Sequence, residues 1–500
     1  MFFVAGGERH EVVLTKLEAS LSIDPAKLLA ALRGVRAMAA RLGSSLRLVQ
    51  LKPADPRRAA MANVAGASRP RRPGAAGGFQ ALGAMTLATS TAIVEGARRA
   101  DLAAARNFGA SVLNEGYDGK ALLGVDSVDR MFRLVHLLEE REVGAVAPNF
   151  LRRTMRRRLS APLAPWAHAK IGVADAWAIT QGSPEIRVAV LDEGVDTSHP
   201  ALKPAVVAER DFIGDHGDSA MPDGDDAHGT SCAGIIASRD AAVPGIAPKC
   251  SLMAARIALS DGNGGWVFDD YATADAIDWA WRQGAAVLSN SWGGGAPSDA
   301  ISRALGRART QGRGGDGAVV AIAAGNDGGA IQFPGNLPGY VTVGASTPAD
   351  ERKTKRSSDG ESWWASCYGP SLALLAPGVF ISTTDIAGTR GYADGDFTTT
   401  FNGTSAATPH VAACAALMLS ANAQLSASDV RRLLQETAAR LDGQTDWTPQ
   451  LGWGRLDAGR AVAAAKLGVA ARSPMAPSSK QTRRTARKSG RLLGRKASRR

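Results

Sequence analysis

The sequence is poor in cysteine, in aromatic residues and in long apolar runs. It has four cysteines, too far apart for a C-x-x-C metal or redox pair: Cys232, Cys250, Cys367 and Cys414. The start, MFFVAGGERHEVVL, lacks the features of a secretory signal, so reduced thiols are expected. No stretch reaches the roughly 18 consecutive apolar residues of a membrane span. These absences argue against a disulfide-stapled or membrane-spanning protein and favour a cytoplasmic location; a misassigned start codon would instead allow secretion.

Acidic residues are missing from the end of the chain. From Arg472 to Arg500 there are 11 Lys and Arg and no Asp or Glu, and subtracting 11 from the net charge of +12 leaves about +1 for residues 1–471. The basic segment 469–500 has too little apolar content to pack and is predicted to be a disordered tail. Its charge suits nucleic acid or another acidic partner. The alternative is a solvated tail with no specific partner.

The 500 residues are enough for two or three domains. Residues 1–52 predict an N-terminal α/β extension, with strands at VVLTK and SLRLVQL around a helix within 25–43. Residues 53–107 begin with a segment rich in Pro, Arg and Ala and are predicted to be a low-complexity linker. Residues 108–160 predict a small α+β unit, with short strands, an amphipathic helix over 127–142 and a last strand at VGAVAPNF.

The rest of the chain, residues 161–468, has the pattern of an α/β domain. Short and almost wholly apolar strands, such as RVAVLD, GAAVLSNS, AVVAIAAG and YVTVGA, alternate with Ala-rich helices. Strands of this kind form a mainly parallel sheet that helices cover on both faces, which is a three-layer α/β fold. Ligands of such sheets bind beyond the carboxyl ends of the strands, so polar residues at those ends are candidates for function.

Two strand ends and two helix starts carry such residues. Asp192 ends the strand RVAVLD, His228 opens the small-residue segment HGTSCAG, and Asn326 follows the strand AVVAIAA. Ser405 lies in FNGTSAATPHVAA, at the start of an Ala-rich helix whose dipole favours developing negative charge. Taken singly, these residues are equally well explained as caps or turn residues. Together they supply a nucleophile, a base, an orienting carboxylate and an amide donor.

These segments resemble the signatures of the subtilisin-like serine proteases, the subtilase family. HGTSCAG and GTSAATPHVAA resemble its histidine and serine motifs, DEG resembles its aspartate motif, and the similarity extends over about residues 165–466. The resemblance implies a serine endopeptidase with Asp192, His228 and Ser405 as its triad and Asn326 in its oxyanion hole. No cofactor is needed for that chemistry. The residues expected to pair with an extended protein or peptide substrate are Ser291, Trp292 and Gly293.

The unit 108–160 resembles the subtilase propeptide, whose fold assists and then blocks the protease. We therefore expect a zymogen that cleaves itself between Asn149 and Pro165 and is held by its own prodomain. A catalytically silent relative that binds peptides in its groove is the alternative, although all four functional positions are filled. A second alternative is a nucleic-acid-associated protein that acts through its basic tail.

Some features resemble one branch of the family, the kexins and furins. HGTSCAG, SNSWGGG and GRGGDGAVVAIAAGN are closer to that branch, yet residues 294–298 lack the carboxylates it uses for basic substrates. Calcium is considered as a structural ion. The H-P-D-L calcium segment of many subtilases has Ala201 in place of its Asp, whereas DFIGDHGD offers closely spaced carboxylates for a hard cation, namely Asp211, Asp215 and Asp218. A solvated acidic loop is the alternative.

Overall fold

The first part of the chain forms an antiparallel sheet with two helices packed on it. The structure is a computed structural model that describes residues 2–5, 8–14, 46–53, 85–155, 166–214, 216–260 and 265–468. The strands of this part are β1 (Phe2–Ala5), β2 (Glu8–Leu14), β3 (Leu46–Pro53), β4 (Met85–Glu95), β5 (Ser111–Glu115), β6 (Ala121–Gly124) and β7 (Ala145–Met155). Its helices are α1 (Arg99–Asn107) and α2 (Val128–Glu140).

The helix α2 shows why this unit folds as predicted. Ser127 caps its first turn by accepting from the backbone N–H of Arg130, and Met131, Phe132 and Val135 lie on its buried face. That face packs on β4 and β7, which pair with each other. The strands and the helix predicted within 108–155 are therefore present, and strands are present within residues 1–52. The helix predicted within 25–43 lies outside the described residues.

The prediction of a linker over 53–107 is wrong for its last part. Residues 85–95 are the strand β4 and residues 99–107 are the helix α1, so the small unit begins well before residue 108. β4 was missed because its buried positions include Thr89 and Thr91, which do not give an apolar pattern. Thr89 Oγ1 donates to the carbonyl of Asn149 at 2.8 Å, and Asn149 Nδ2 donates to Thr91 Oγ1 at 3.1 Å. These long-range partners make a polar strand stable in a core.

The second part of the chain is the α/β domain. Its strands are β8 (Arg187–Asp192), β9 (Val206–Asp211), β10 (Ser251–Arg256), β11 (Leu259–Ser260), β12 (Gly265–Asp269), β13 (Ala285–Asn290), β14 (Val319–Ala323), β15 (Val341–Ser346), β16 (Leu372–Pro377), β17 (Ile381–Thr384) and β18 (Phe397–Phe401). Its helices are α3 (Ala167–Lys170), α4 (Val173–Trp177), α5 (His228–Ala237), α6 (Asp270–Arg282), α7 (Asp299–Gln311), α8 (Thr404–Ala421), α9 (Ala427–Thr437) and α10 (Ala458–Leu467).

Seven of these strands form a parallel sheet in the order β16-β15-β14-β13-β8-β10-β9. Val188 and Val190 of β8 face one core with α5 and α8, whereas Ala189 and Leu191 face a second core with α6 and α7. The predicted three-layer α/β fold is thus confirmed. From β8 the chain continues to β9 and β10 on one side of it, and later to β13 on the other. The crevice beyond β8 and β13 is therefore where such folds bind ligands.

The two parts share one sheet. β7 pairs antiparallel with β12 of the α/β domain, from Leu151 opposite Asp269 to Met155 opposite Gly265. The antiparallel sheet runs in the order β1-β2-β3-β4-β7-β12-β11, with β5 and β6 attached beside β4. The end of the first unit is thereby an added strand on the edge of the second. Among the helices of the described residues, none combines the length and apolarity needed to cross a membrane.

Candidate functional site

Asp192 and His228 meet at the carboxyl end of the inner strand β8. Asp192 is the last residue of β8 and His228 is the first residue of α5. Nδ1 of His228 is 2.8 Å from Oδ1 of Asp192, and both side chains are buried. The helix can come this close because Gly229 has no side chain. An added β-carbon there would lie 2.1 Å from the carbonyl oxygen of Gly194 and 2.8 Å from Cβ of Asp192.

The surroundings of the imidazole favour its charged form. Burial by itself lowers the pKa of His228, but the charge and hydrogen bond of Asp192, together with the neighbouring Cys232, outweigh burial and hold this pKa well above the ordinary value of 6.5. Phe401 packs edge-on against the imidazole, with ring centroids 5.4 Å apart. The sulfur of Cys232, one turn further along α5, lies 3.9 Å from Nδ1. The ring is thus held on several sides, as a general base requires.

Ser405 lies in the first turn of α8 and is tied to the end of β13. Its Oγ donates to the carbonyl of Ser291 at 3.2 Å, and Oγ of Ser291 donates back to the carbonyl of Ser405 at 3.0 Å. The carbonyl of Ser405 is available because Pro409, four residues on, has no N–H to donate to it. Cys232 Sγ donates to the same carbonyl at 3.6 Å. Through Cys232, α5 and α8 contact each other beside His228 and Ser405.

Asn326 follows β14 and faces the start of α8. Its Oδ1 accepts from the backbone N–H of Thr404 at 2.8 Å and from Oγ1 of Thr404 at 3.0 Å, which leaves Nδ2 as its outward donor. Gly403 has φ +111°, and an added β-carbon there would lie 3.3 Å from Nδ2 of Asn326 and 3.4 Å from the backbone N of Ser405. Nδ2 of Asn326, the predicted oxyanion donor, and the backbone N–H of Ser405 therefore face the same small space.

The residues predicted to pair with substrate lie between Ser405 and β12. Ser291 is the partner of Ser405 described above, and Trp292 is buried with its ring against Phe268 of β12, at a centroid distance of 5.5 Å. Gly293 approaches the Phe333 carbonyl so closely that an added β-carbon would lie 3.1 Å from its oxygen. Ser291 and Gly293 thus lie beside Ser405 and Phe333, while the Trp292 ring packs against β12.

In the loop predicted to bind calcium, the carboxylate of Asp211 pairs with an arginine side chain. One oxygen of Asp211 accepts from the backbone N–H groups of Ile213 and Gly214 at 3.0 and 2.7 Å, and the other is 3.0 Å from Nη1 of the buried Arg256. The guanidinium already neutralises this carboxylate, and calcium binding by Asp211 stays a prediction. Asp218 is exposed, and Asp215 lies outside the described residues.

Within the described chain, only one group of three candidate metal-binding side chains lies close enough to share an ion: Asp192, His228 and Cys232. We interpret it as part of the site above, because Nδ1 of His228 and Oδ1 of Asp192 already hold each other.

Sequence reasoning missed three residues that hold this site. Thr404 orients Asn326, Phe401 packs on His228, and Glu193 accepts from the backbone N–H of His228 at 2.9 Å. Each is adjacent, or nearly adjacent, to a predicted residue or motif. This adjacency is the only clue to the three residues in the sequence. Their contacts join segments that are distant in the chain, so the sequence does not reveal them.

The chain is similar to proteases of one family over most of its second part. The family model described as the subtilase family matches residues 183–454. Thermitase of Thermoactinomyces vulgaris is 34% identical over 297 residues, which is 59% of this chain and 94% of that protein. Subtilisin DY of Bacillus licheniformis is 36% identical over 263 residues, 51% of this chain and 84% of that protein. These relatives do not confirm the resemblance to kexins and furins.

A solved structure shares the fold. Fervidolysin from Fervidobacterium pennivorans, described as a keratinolytic enzyme related to subtilisin, superposes with a TM-score of 0.62 at 23% identity. The match covers 75% of this chain and 61% of that chain. At this identity the likeness concerns the fold alone.

Proposed function

Because the chain belongs to the subtilase family, a class of subtilisin-like serine endopeptidases that act on protein substrates, we propose that its active site is Asp192, His228, Ser405 and Asn326. The observation that carries the proposal is the 2.8 Å hydrogen bond between His228 and Asp192 at the carboxyl end of β8. A carboxylate that holds Nδ1 fixes the tautomer in which Nε2 is free to accept a proton.

In the proposed reaction, His228 takes the proton of Ser405 as its Oγ attacks the carbonyl carbon of the scissile peptide bond. Asp192 stabilises the imidazolium that forms, without taking its proton. Nδ2 of Asn326 and the backbone N–H of Ser405 hold the oxyanion of the tetrahedral intermediate. The imidazolium then gives its proton to the leaving amine, and water, activated by the same histidine, releases the acyl group from Ser405.

The substrate is proposed to bind as an extended strand in the crevice beside β12. Ser291 and Gly293 offer backbone groups on one side of that crevice, and β12 offers a strand edge on the other. The chain's own β7 already pairs with this edge, which supports strand addition as the binding mode. Residues 151–155 thus occupy an edge that substrates would need.

We further propose that the protein is made as a zymogen and cuts itself between Asn149 and Pro165. Support comes from the contact between the first unit and the helices α6 and α7. Nζ of the buried Lys120 lies 2.9 Å from Asp278 and 3.4 Å from Asp275 of α6, and Arg303 of α7 lies 2.8 Å from Glu95 at the end of β4. Such buried contacts suit a prodomain that stays bound after cleavage.

Other features of the chain are proposals from sequence alone. These are a cytoplasmic location and an acidic or nucleic-acid partner for residues 469–500, which lie outside the described part of the chain. A structural calcium ion, with Asp211, Asp215 and Asp218 as its predicted ligands, is a further proposal, and no step of the reaction above needs one.

The test is to express wild type and Ser405→Ala side by side and to determine intact mass and N-terminal sequence. We expect wild type alone to lose an N-terminal fragment of about 150–165 residues and to digest an unfolded protein. If both chains stay full length and neither digests it, the silent peptide-binding relative replaces the protease as the better proposal. Cleavage in both chains would point to a contaminating protease.

A further inference from the structure

Helix α5, which carries His228 as its first residue, is not capped by the residue before it. Ala227 stands at the N-cap position and offers no side-chain acceptor. The first N–H groups of a helix have no partner within the helix and need acceptors from elsewhere. The backbone N–H of His228 finds one in Oε1 of Glu193, 2.9 Å away and 35 positions earlier in the chain.

Glu193 is held in place by the same residue that holds the imidazole. Its backbone N–H donates to Oδ1 of Asp192 at 2.9 Å, and that oxygen also binds Nδ1 of His228 at 2.8 Å. Three hydrogen bonds therefore close a ring through Asp192, Glu193 and His228. Asp192 fixes the side chain of the histidine, and Glu193 fixes its backbone.

The burial of Glu193 gives this arrangement a physical reason. Its side chain has no exposed surface, and a buried carboxylate is costly unless its environment compensates the charge. The N-terminal end of α5 supplies both a hydrogen-bond donor and the positive end of a helix dipole. Glutamate reaches this amide from the residue after Asp192.

We propose that Glu193 is a positioning residue for the general base, which rests on the proposed role of His228. Without an acceptor at this point, the first turn of α5 can shift, and the imidazole shifts with it. A displacement of about 1 Å in a catalytic group costs on the order of 10²-fold in rate. The loss belongs in kcat rather than KM, because Glu193 holds the base and contacts His228 through its backbone.

The experiment compares Glu193→Ala, Glu193→Gln and a matched control in the full chain. Asp457→Ala removes the cap of α10, a helix of the same domain that carries none of the proposed active-site residues; there Asp457 accepts from the N–H of Arg460 at 2.9 Å. We expect Glu193→Ala to lower kcat about 10- to 100-fold while KM stays within about threefold. Glu193→Gln keeps an oxygen that can accept and should restore most of kcat. Asp457→Ala should lower the melting temperature and leave kcat unchanged.

A second measurement does not depend on turnover. In the Ser405→Ala chain, the proton between His228 and Asp192 should give a low-field NMR resonance that Asp192→Asn abolishes. We expect Glu193→Ala to shift or broaden it, and Glu193→Gln and Asp457→Ala to keep it. If Glu193→Ala does not fold, Glu193→Met, which keeps the volume without the carboxylate, replaces it in both measurements.

Two results would overturn the inference. One is a wild-type kcat and resonance in Glu193→Ala or its Met substitute; the other is an equal loss of kcat in Asp457→Ala. Failure of the proposed function looks different: wild type would then show no Ser405-dependent turnover, while the resonance in the Ser405→Ala chain would still report on the position of His228.

Discussion

At the scale of single residues, the site depends on donors that are aimed before a substrate arrives. Asn326 is aimed by Thr404, which holds its Oδ1 with a backbone and a hydroxyl donor at 2.8 and 3.0 Å. A fixed amide can stabilise an oxyanion without the reorganisation that water would need. Removing the donor, Asn326, should therefore slow the reaction more than removing the side chain that orients it, Thr404.

We therefore expect Asn326→Ala to lower kcat about 10²- to 10³-fold with little change in KM, the cost of the same change in subtilisin. Thr404→Val should cost less, because the backbone N–H of Thr404 still orients the amide. Steady-state kinetics on one peptide substrate measure both. A rise in KM with unchanged kcat for Asn326→Ala would assign this side chain to substrate binding instead.

The pKa of His228 determines how the reaction should depend on pH. His228 accepts a proton only when neutral, and its pKa is held well above 6.5 because the charge and hydrogen bond of Asp192, together with Cys232, outweigh the effect of burial. Activity should accordingly rise with pH above 6.5, and kcat/KM should be low where the imidazole is already protonated. Asp192→Asn should move this limb to lower pH while lowering kcat by about 10⁴. If kcat/KM of wild type instead rose with a midpoint below pH 6.5, the raised pKa of His228 would be contradicted.

At the scale of elements, the position of α5 depends on the absence of side chains. An added β-carbon on Gly234 would lie 2.2 Å from Oγ1 of Thr384 and 2.8 Å from its backbone N, so the helix touches β17. Oγ1 of Thr384 donates to the carbonyl of Thr230 at 2.7 Å, which ties the two elements together. Contact between the backbone of α5 and the strand β17 thus fixes the position of the helix that carries the base.

Gly234→Ala should lower the free energy of unfolding by about 1–3 kcal/mol, the usual cost of overpacking. Gly306 provides the matched control, because it lies inside α7 with nothing within 4 Å of an added β-carbon. Gly306→Ala should be neutral or stabilise by up to about 1 kcal/mol, since alanine is the better helix former. Both values are to be measured by urea unfolding of Ser405→Ala chains, which cannot digest themselves. Equal effects at the two positions would mean that α5 can move away from β17.

At the scale of the whole molecule, the sequence predicted the fold and the meeting of Asp192 with His228, because short motifs carry both. It did not predict contacts between the two parts of the chain. Lys120 meets Asp278 across 158 positions, and nothing local distinguishes this lysine from a surface one. The linker prediction fails at β4 for the same reason, since the threonines of β4 are satisfied by Asn149 far along the chain. Such contacts exist only once the two parts are docked.

The same docking leads to a prediction about release of the prodomain. Lys120 has no exposed surface, and its partner Asp278 also binds Arg307 of α7 at 2.7 Å. Breaking one member of a buried ionic cluster leaves charge uncompensated and costs about 3–5 kcal/mol. Lys120→Met should therefore release the N-terminal fragment at least about tenfold faster after self-cleavage, because 1.4 kcal/mol already corresponds to a factor of ten.

The lag before protein digestion and the fraction of fragment retained on size exclusion both measure this release. Arg98→Met is the control, since Arg98 is exposed and pairs with Asp101 of the first unit. It should leave the lag unchanged. Added salt should shorten the lag only slightly in wild type, because buried pairs are poorly screened. An unchanged lag in Lys120→Met, or the same acceleration in Arg98→Met, would mean that pairing of β7 with β12, rather than the buried charges, holds the prodomain.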